Sequence, residues 1–266
     1  VENWTAGEVL GRGGYSVVRK HLHKKTGRVR AVKTIEKSGH PFHAREFNIM
    51  ALLNKPEHRS RFVEFLGWFE NRDRLFIAME YFEQGDLRKH LDKPLGEEVV
   101  QRITKQVLNA LQVMHANNIA HRDLKPDNIF VVSMSPVWVK LGDFGISKRI
   151  HGDTSYRTQV CTDNYAAPEV LGIDPNSETS IYTNAVDMWS LGCVVYEILT
   201  GEKLFSSLGH IMSFFYTNGT FPEQKLSKLA TPSLDAVKSF IQGLVLLDPG
   251  KRPSAVEAAS NVWLQE

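Results

Sequence analysis

The hydrophobic periodicity of this chain changes once, near Gly85, and this change limits the architectures that the chain can adopt. Before Gly85, five segments are rich in β-branched or aromatic residues, and Gly-rich or Thr-Gly turns separate the first three. These segments are residues 4–10, 15–22, 28–35, 62–70 and 74–81. Such a series predicts a twisted antiparallel sheet. One helix interrupts it, since the apolar residues after Pro41 fall on one stripe at helical spacing.

After Gly85 the apolar residues follow the 3.6-residue period of a helix. The clearest apolar face runs from Val100 to Met114 and predicts a long helix that ends near Asn117. A short β-hairpin is expected at 129–132 and 137–143, with helices in most of the remainder. We therefore expect an α+β fold, with a small antiparallel β-sheet lobe that carries one helix and a larger, mostly helical lobe. The expected boundaries are 1–79, a connector at 80–85, and 86–266.

Composition and charge argue against several classes of protein. Apolar residues make up 42% of the chain and charged residues 23%, which is typical of a globular domain. The net charge of +2 gives no overall field for DNA or an anionic membrane, so we expect neither nucleic acid nor membrane as a partner. The basic run at 19–30 is interpreted as an exposed hairpin, with nucleic-acid binding as the alternative.

The cysteine content favours a reducing, intracellular location, in the cytoplasm or the nucleus. Only Cys161 and Cys193 occur, so no disulfide framework is indicated. The chain begins without Met, which favours a domain excised from a longer protein. The longest apolar run, 188–199, is shorter than the roughly 20 residues of a membrane-spanning helix and is interpreted as a buried helix.

Two features before Gly85 point to an anionic ligand. The turn GRGGYSVV at 11–18 joins two strands, and glycines there let backbone N–H groups approach phosphate oxygens, although a plain hairpin would explain them equally well. Lys33 lies in an apolar strand, where a lysine at the solvent edge is the simplest interpretation. Glu46, however, falls on the apolar stripe of the predicted helix, and a carboxylate there needs a cation. Lys33 is the partner we expect.

A cluster of charged residues precedes the predicted hairpin, and a further one follows it. The segment HRDLKPDN occupies 121–128 and DFG occupies 143–145. Asp123, Asn128 and Asp143 can supply oxygen ligands or a proton acceptor. Hard oxygen ligands of this kind suit Mg²⁺, which usually shares its coordination shell with substrate phosphates.

The order of these motifs resembles the eukaryotic protein kinase family over essentially the whole chain. The resemblance implies the bilobal protein-kinase fold and an enzyme that uses ATP and Mg²⁺. Within the family, the chain is most similar to the calcium/calmodulin-dependent-kinase-like group. The motifs that carry the resemblance are GRGGYSVV, RAVK at 30–33, Glu46, MEY at 79–81, HRDLKPDN, DFG, AAPE at 166–169, VDMWSLG at 186–192 and DPGKRPS at 248–254.

The resemblance implies a nucleotide site in which the glycine-rich turn covers the ATP phosphates. Lys33 would hold the α- and β-phosphates and pair with Glu46. Met79 would guard the back of the adenine pocket, and Asp86 would meet the ribose. The full set implied for the nucleotide is Gly11, Arg12, Gly13, Gly14, Val18, Ala31, Lys33, Met79, Glu80, Phe82 and Asp86.

The resemblance also implies the catalytic and metal-binding roles. Asp123 would accept the proton of the substrate hydroxyl, and Lys125 would steady the transferring phosphate. Asn128 and Asp143 would bind Mg²⁺. Three further residues would support the larger lobe, through an ion pair between Glu169 and Arg252 and through contacts of Asp187 with the HRD backbone.

Substrate class and regulation are implied in the same way. Lys125 and Thr162 resemble the serine/threonine class of the family. Asp86 and Asp127 occupy places where acidic residues of related kinases recognise substrate arginines. Arg122 precedes the catalytic aspartate and implies activation by phosphorylation. Thr158 is the expected site, either for an upstream kinase or for autophosphorylation, with a merely solvated hydroxyl as the alternative.

The chain departs from the family pattern at two positions. Ser16 replaces the third glycine of the phosphate-binding turn, which is expected to reduce its flexibility without abolishing nucleotide binding. Cys161 stands where the family often has glycine, either as a tolerated substitution or as a redox-sensitive thiol.

The leading expectation is a kinase that phosphorylates Ser or Thr hydroxyls of protein substrates. A pseudokinase that binds nucleotide or acts as a scaffold is the main alternative, because a fold does not dictate an activity. A kinase for small molecules is the second alternative.

Overall fold

The computed structural model of the chain describes residues 3–13, 16–37, 44–143, 164–173, 184–221, 226 and 233–265, except for the side chains of residues 44–48. These residues belong to two compact units. The first unit ends at Gly85 and the second begins at Asp86.

The first unit contains an antiparallel five-stranded sheet and one helix, as the sequence predicts. Its strands are β1 (Trp4–Arg12), β2 (Ser16–His23), β3 (Val29–Glu36), β4 (Phe65–Glu70) and β5 (Arg74–Met79), in the order β1-β2-β3-β5-β4. Helix α1 spans Ala44–Leu53. The turn between β2 and β3 contains Gly27 with a φ of 70°, a left-handed conformation that glycine adopts without steric cost. The basic run at 19–30 is therefore a hairpin.

Strand β4 begins at Phe65, three residues later than the sequence pattern predicts. Phe62 and Val63 are buried but lie outside the strand. The side chain of Asn54 explains the boundary, because its amide nitrogen donates to the carbonyl of Phe65 and its amide oxygen accepts from the Phe65 N–H, both at 3.0 Å. A side-chain amide thus replaces a backbone partner at the start of the strand.

One hydrophobic cluster of the first unit lies between its sheet and its helix. Ile35 of β3 and Leu75 of β5 are paired directly across the two strands, and both are buried. Met50 of α1 packs into the same cluster, together with Ile77. Leu75 and Ile77 are two residues apart in β5 and point to the same side, so helix α1 packs on the part of this face that they form.

The second unit is mostly helical and contains one β-hairpin. Its elements are α2 (Glu97–Ala116), β6 (Ile129–Met134), β7 (Val137–Leu141), α3 (Ala185–Thr200), α4 (Leu208–Tyr216), α5 (Leu234–Leu244) and α6 (Ala255–Ala259). Every residue of α3 from Val186 to Leu199 is buried, so this helix forms the centre of the unit and confirms the interpretation of the apolar run. No helix in the described part of the chain is long and apolar enough to cross a membrane.

Helix α2 ends close to the predicted position. Its last residue is Ala116, and Asn118 adopts a φ of 54°. The N–H groups of Asn118 and Ile119 donate to the carbonyls of His115 and Met114, at 3.0 Å and 2.9 Å. A left-handed residue with such reversed hydrogen bonds terminates a helix, and asparagine tolerates that conformation.

Candidate active site

Four residues that the sequence assigns to a nucleotide site lie on one face of the sheet in the first unit. Val18 of β2 is paired with Lys33 of β3, and Ala31 of β3 is paired with Met79 of β5. Ala31 and Lys33 are two residues apart in β3, so all four share a face. Lys33 is only 6% exposed. A buried ammonium group among the apolar side chains of Val18, Ala31 and Met79 is the type of group that an anionic ligand needs.

The glycine-rich turn is described on both sides of its tip. Gly11 and Arg12 are paired with Val18 and Val17, and Gly13 follows them. The N–H of Gly13 donates to the carbonyl of Ser16 at 2.8 Å, which closes the turn. Gly14 lies outside the described residues. A Cβ added to Gly11 would meet no atom within 4 Å, so its surroundings leave the backbone accessible to a ligand.

The partner expected for Lys33 is only partly described. Glu46 lies in α1, but its side chain is outside the described residues. Met50 lies one turn after Glu46 and packs on the sheet face that carries Lys33. Residues four apart share a side of a helix. The ion pair between Lys33 and Glu46 therefore stays a prediction.

The connector after β5 is held by hydrogen bonds within the first unit. The N–H of Glu80 donates to the carbonyl of Glu64 at 2.9 Å, and the carboxylate of Glu80 accepts the N–H of Glu64 at 3.1 Å. The carbonyl of Phe82 accepts the N–H of Gly85 at 3.1 Å. These contacts fix the backbone of a segment that the sequence assigns to adenine recognition.

In the second unit, the buried carboxylate of Asp187 holds the loop that carries the HRD sequence. Its two oxygens accept the backbone N–H groups of His121 and Arg122, each at 2.8 Å. The Nε2 atom of His115 lies 2.8 Å from the same carboxylate. Asp187 is completely buried, and charged groups at such sites require partners of this kind. The predicted support of the HRD backbone by Asp187 is confirmed, while the contribution of His115 was not expected.

His121 connects this loop to the residue before the DFG sequence. Its Nδ1 atom accepts the backbone N–H of Asp123 at 3.2 Å, so Nε2 carries the proton that is donated to the carbonyl of Gly142 at 2.9 Å. The N–H of Gly142 in turn donates to the carbonyl of Asn128 at 3.0 Å. The two charged segments are thereby joined, and Asp143 follows directly after this junction.

The carboxylate of Asp123 is surrounded by donors from its own loop. The ammonium group of Lys125 lies 3.2 Å from both carboxylate oxygens. The side-chain nitrogen of Asn128 donates to the carbonyl of Asp123 at 2.6 Å and to its carboxylate at 3.1 Å. The side chain of Asp123 keeps 12% of its surface exposed. An oriented and still accessible carboxylate can accept a proton from a hydroxyl group.

The residues predicted for Mg²⁺ have a donor set that fits the metal. The amide nitrogen of Asn128 bonds to Asp123, which leaves the Oδ1 atom, and this atom accepts no hydrogen bond within the described part of the chain. Asp143 adds a carboxylate and adopts a φ of 54° after Gly142. No group of three or more His, Cys, Asp or Glu side chains suited to a metal occurs among the described residues. Two protein oxygens suit Mg²⁺, which keeps waters and phosphate oxygens as its other ligands.

Asp86 is the first residue of the second unit and caps a short turn at Leu87–His90. Its side chain accepts the N–H of Lys89, and its backbone pairs with Phe130 of β6. Burial raises the pKa of Asp86, and the nearby charge of Asp127 raises it further against the lowering effect of Lys89.

The sequence did not predict a cluster of charged and polar side chains around Arg88, which we call the Arg88 cluster. It consists of Arg88, Asp127, Tyr165 and Glu197. The sequence did contain a signal, because Glu197 is a carboxylate within the apolar run of α3 and such a group needs a cation. The partner, Arg88, is 109 positions away in the chain, so the sequence pattern could not identify it.

The ion pair between Glu169 and Arg252 is confirmed. Two guanidinium nitrogens of Arg252 lie 2.6 Å and 3.0 Å from the two carboxylate oxygens of Glu169, and both side chains are buried. The guanidinium also stacks over the ring of Trp189, 5.1 Å from its centroid.

The remaining predicted residues, namely Thr158, Cys161 and Thr162, lie outside the described residues. Burial raises the pKa of the other cysteine, Cys193, and so disfavours its reactive thiolate form.

Comparison with known proteins identifies relatives across nearly the whole chain. The family model described as protein kinase domain matches residues 4–264. The serine/threonine-protein kinase RAD53 of Saccharomyces cerevisiae is 34% identical over 97% of this chain and 32% of its own length. The serine/threonine-protein kinase cds1 of Schizosaccharomyces pombe is 32% identical over 96% of this chain and 56% of its own length. The chain thus spans about a third of one relative and just over half of the other.

A similar fold occurs among solved structures. The crystal structure of Rad53 1-466 in complex with AMP-PNP is 32% identical and has a TM-score of 0.81, and it covers 98% of this chain and 65% of that chain. The expected α+β protein-kinase fold and the resemblance to serine/threonine kinases are therefore confirmed, and ATP is the cofactor that this family implies. The chain belongs to the protein kinase domain family.

Proposed function

We propose that this chain transfers the γ-phosphoryl group of Mg-ATP to serine or threonine hydroxyls of protein substrates. The observation that supports this most strongly is the environment of Asp123, whose carboxylate is oriented by Lys125 and Asn128 and remains accessible. The relatives are serine/threonine-protein kinases, which favours the same class of acceptor. Lys125 in the HRDLKPDN loop supports this assignment. The absence of a disulfide framework favours an intracellular location.

In this proposal Asp123 accepts the proton of the attacking hydroxyl. The Nζ atom of Lys125 lies 3.2 Å from both of its oxygens. The same cation would also steady the transferring phosphate, where negative charge develops. Little covalent chemistry is required of the protein, because the transition state of phosphoryl transfer is loose. Catalysis therefore depends on positioning and charge neutralisation. The contacts of Asp187 with the loop backbone provide that positioning.

The nucleotide would lie against the face of the first sheet that carries Val18, Ala31, Lys33 and Met79. Lys33 would hold phosphate oxygens there and pair with Glu46. The backbone of Gly11, Arg12, Gly13 and Gly14 would cover the phosphates. Glu80 and Phe82 would contact the adenine through their backbone, and Asp86 would meet the ribose.

Asn128 and Asp143 would hold Mg²⁺ through their side-chain oxygens. When bound, the metal supplies positive charge that balances the phosphates and the charge that develops during transfer. The chain itself contributes the orientation of these ligands, since Gly142 hydrogen-bonds to Asn128 and precedes Asp143.

Phosphorylation of Thr158 is proposed as the activating event, by an upstream kinase or by the chain itself. Arg122 supports this, because a guanidinium beside the catalytic aspartate is a suitable partner for a phosphate. Thr162 is proposed to lie beside the acceptor hydroxyl. A pseudokinase is disfavoured, because Lys33, Asp123, Asn128 and Asp143 are all present.

The test is transfer of labelled γ-phosphate from Mg-ATP to a panel of peptides that differ only in having serine, threonine or tyrosine as the acceptor. We expect labelling of serine and threonine peptides, and a loss of about 10²- to 10⁴-fold in Asp123→Asn. Its thermal unfolding should match that of the wild type. An inactive wild type, even when phosphorylated at Thr158, would refute the proposal, and labelling of tyrosine alone would refute the acceptor class.

A further inference from the structure

The guanidinium group of Arg88 fills the Arg88 cluster. It donates to Glu197 at 2.7 Å and 3.4 Å, to one oxygen of Asp127 through two nitrogens at 3.3 Å each, and to the hydroxyl of Tyr165 at 2.5 Å. The Tyr165 hydroxyl donates to the second oxygen of Glu197. Three acceptors from separate parts of the chain thus surround one planar cation, which is the arrangement by which proteins recognise arginine.

The burial of the cluster explains why it must contain a cation. The side chain of Glu197 is 5% exposed, while that of Arg88 is 32% exposed and that of Asp127 is 45% exposed. A buried carboxylate is strongly destabilising without a partner. Among the described residues, Arg88 is the cation that bonds to Glu197, whereas Lys203 contacts the ring of Tyr165 at 5.9 Å from its centroid. Burial lowers the pKa of Arg88 and is the largest single effect, but the hydrogen bonds and charges of Glu197 and Tyr165 together outweigh it, so the net shift is upward and the group stays charged.

The cluster lies close to the proposed catalytic base within the same unit. Asp127 follows Asp123 by four residues, so their Cα atoms are at most about 15 Å apart, a distance that an extended peptide covers in about four or five residues. Asp127 also directly precedes Asn128, whose side chain bonds to Asp123. A peptide whose hydroxyl lies at Asp123 can therefore place a neighbouring side chain at the cluster.

We propose that Arg88 is a specificity-determining residue: its guanidinium occupies the acidic site beside the catalytic loop, so the enzyme does not select substrates for an arginine at that site. The inference rests on the proposed kinase activity and revises the expectation that Asp127 recognises a substrate arginine. It assigns to this chain a class of protein substrates that need no arginine at the position next to the Arg88 cluster.

Competition between an internal and an external arginine supports the inference. Arg88 is tethered, and a tethered group has an effective concentration in the millimolar range or above, which a dilute substrate cannot match. Once Arg88 is in place, the remaining accessible acceptor is the half-exposed Asp127, and exposed ion pairs contribute little. Removal of the Arg88 side chain would leave two carboxylates and a phenol hydroxyl for a substrate guanidinium.

The experiment uses acceptor peptides in which one arginine is moved through each position on both sides of the acceptor serine, with an alanine peptide as reference. The quantity measured is the ratio of kcat/KM for each arginine peptide to that for the reference, so a general loss of activity cancels. We expect ratios near one for the wild type. In Arg88→Leu we expect one position to gain about tenfold or more, because hydrogen bonds to charged groups are strong.

Three further variants serve as controls. Lys89→Leu removes an exposed positive charge from the same turn but not from the cluster, and its ratios should match those of the wild type. Adding Asp127→Asn to Arg88→Leu should reduce the gained preference, since it removes one of the two charges that bind the arginine. Arg88→Lys keeps the charge but loses the planar fork, and an intermediate gain is expected.

The same peptides, each carrying a fluorescent label, are also titrated in fluorescence-anisotropy binding measurements. These report the preference for arginine without turnover. No gain in either assay for Arg88→Leu and Arg88→Lys would overturn the inference while leaving the kinase proposal intact. A wild-type preference for arginine that disappears in Asp127→Asn would also overturn it. A wild type that binds peptides but transfers no phosphate would refute the proposed function alone.

Discussion

The carboxylate of Asp187 accepts the backbone N–H of Arg122 at 2.8 Å, and Arg122 adopts a φ of 66°. A left-handed conformation costs a non-glycine residue roughly 1–2 kcal/mol, so a contact from outside the loop has to maintain it. Asp187 lies in the buried helix α3. A buried helix of the second unit therefore fixes the backbone directly before Asp123.

Asp187→Asn should destabilise the protein by about 2–4 kcal/mol. The substitution replaces one of two acceptor oxygens with a donor that faces a backbone N–H, in a completely buried site. The measurement is chemical denaturation, together with phosphate transfer, which should fall at least tenfold. The control is Asp235→Asn, at the exposed first turn of α5, where less than about 1 kcal/mol is expected. Equal effects in both variants would contradict the role of Asp187.

Arg252→Ala should cost about 3–5 kcal/mol of stability, because it leaves the carboxylate of Glu169 buried without its partner. Combining it with Glu169→Gln should recover part of this loss, since the uncompensated charge is then removed. The exposed pair between Arg102 and Glu98 is the matched control, and Arg102→Ala should cost about 0.5 kcal/mol. Thermal and denaturant unfolding measure these three variants and Glu169→Gln alone. An additive double substitution would show that the two residues do not interact.

Asp143→Asn should reduce Mg²⁺-dependent phosphate transfer by about 10²-fold or more. The free energy of unfolding should change by less than about 1 kcal/mol. Asparagine tolerates the φ of 54° at this position, whereas Asp143→Ala should be less stable than Asp143→Asn by about 1 kcal/mol. Isothermal titration with ATP should show that Mg²⁺ strengthens nucleotide binding in the wild type but not in the variant. Removal of the metal with EDTA should stop transfer by the wild type. An unchanged response to Mg²⁺ would exclude Asp143 as a ligand.

Asp86→Asn should stabilise the protein slightly at neutral pH and raise the KM for ATP about three- to tenfold. Asparagine can still cap the turn at Leu87–His90. Because burial raises the pKa of Asp86 in the folded state, the folded protein binds its proton more readily than the unfolded chain. The ionised carboxylate therefore lowers stability above the folded-state pKa, and this penalty disappears as the pH falls below the unfolded-state pKa.

The measurement for Asp86 is the difference in unfolding free energy between the variant and the wild type at several pH values. The gain from Asp86→Asn should be largest near neutral pH and should shrink as the pH is lowered. A gain in unfolding free energy that grows toward acid pH would contradict the upward shift of the Asp86 pKa. An unchanged KM for ATP would separate this residue from nucleotide binding.

The sequence was sufficient for features that depend on local patterns. Alternating and β-branched segments predict strands β1 to β5, and the helical period predicts α2, because burial selects side chains at the period of each element. The apolar run at 188–199 predicts the buried α3. The sequence also predicted the turn at Gly27, and the order of its charged motifs indicated the family. The start of β4 was not, because it depends on the side chain of Asn54, which is distant in sequence from the strand end.

Taken alone, the sequence was sufficient to identify the family, since this depends on residue type and order. It also predicts a two-part organisation and the residues that would accept a proton or bind a metal, and these roles stay predictions. Tertiary structure decided which buried charges meet. It placed His115 and two backbone N–H groups around Asp187, and it placed Arg88 rather than a vacant site at Glu197. The physical reason is that a buried charge is tolerated only with a partner, and only the folded chain specifies that partner among many distant residues.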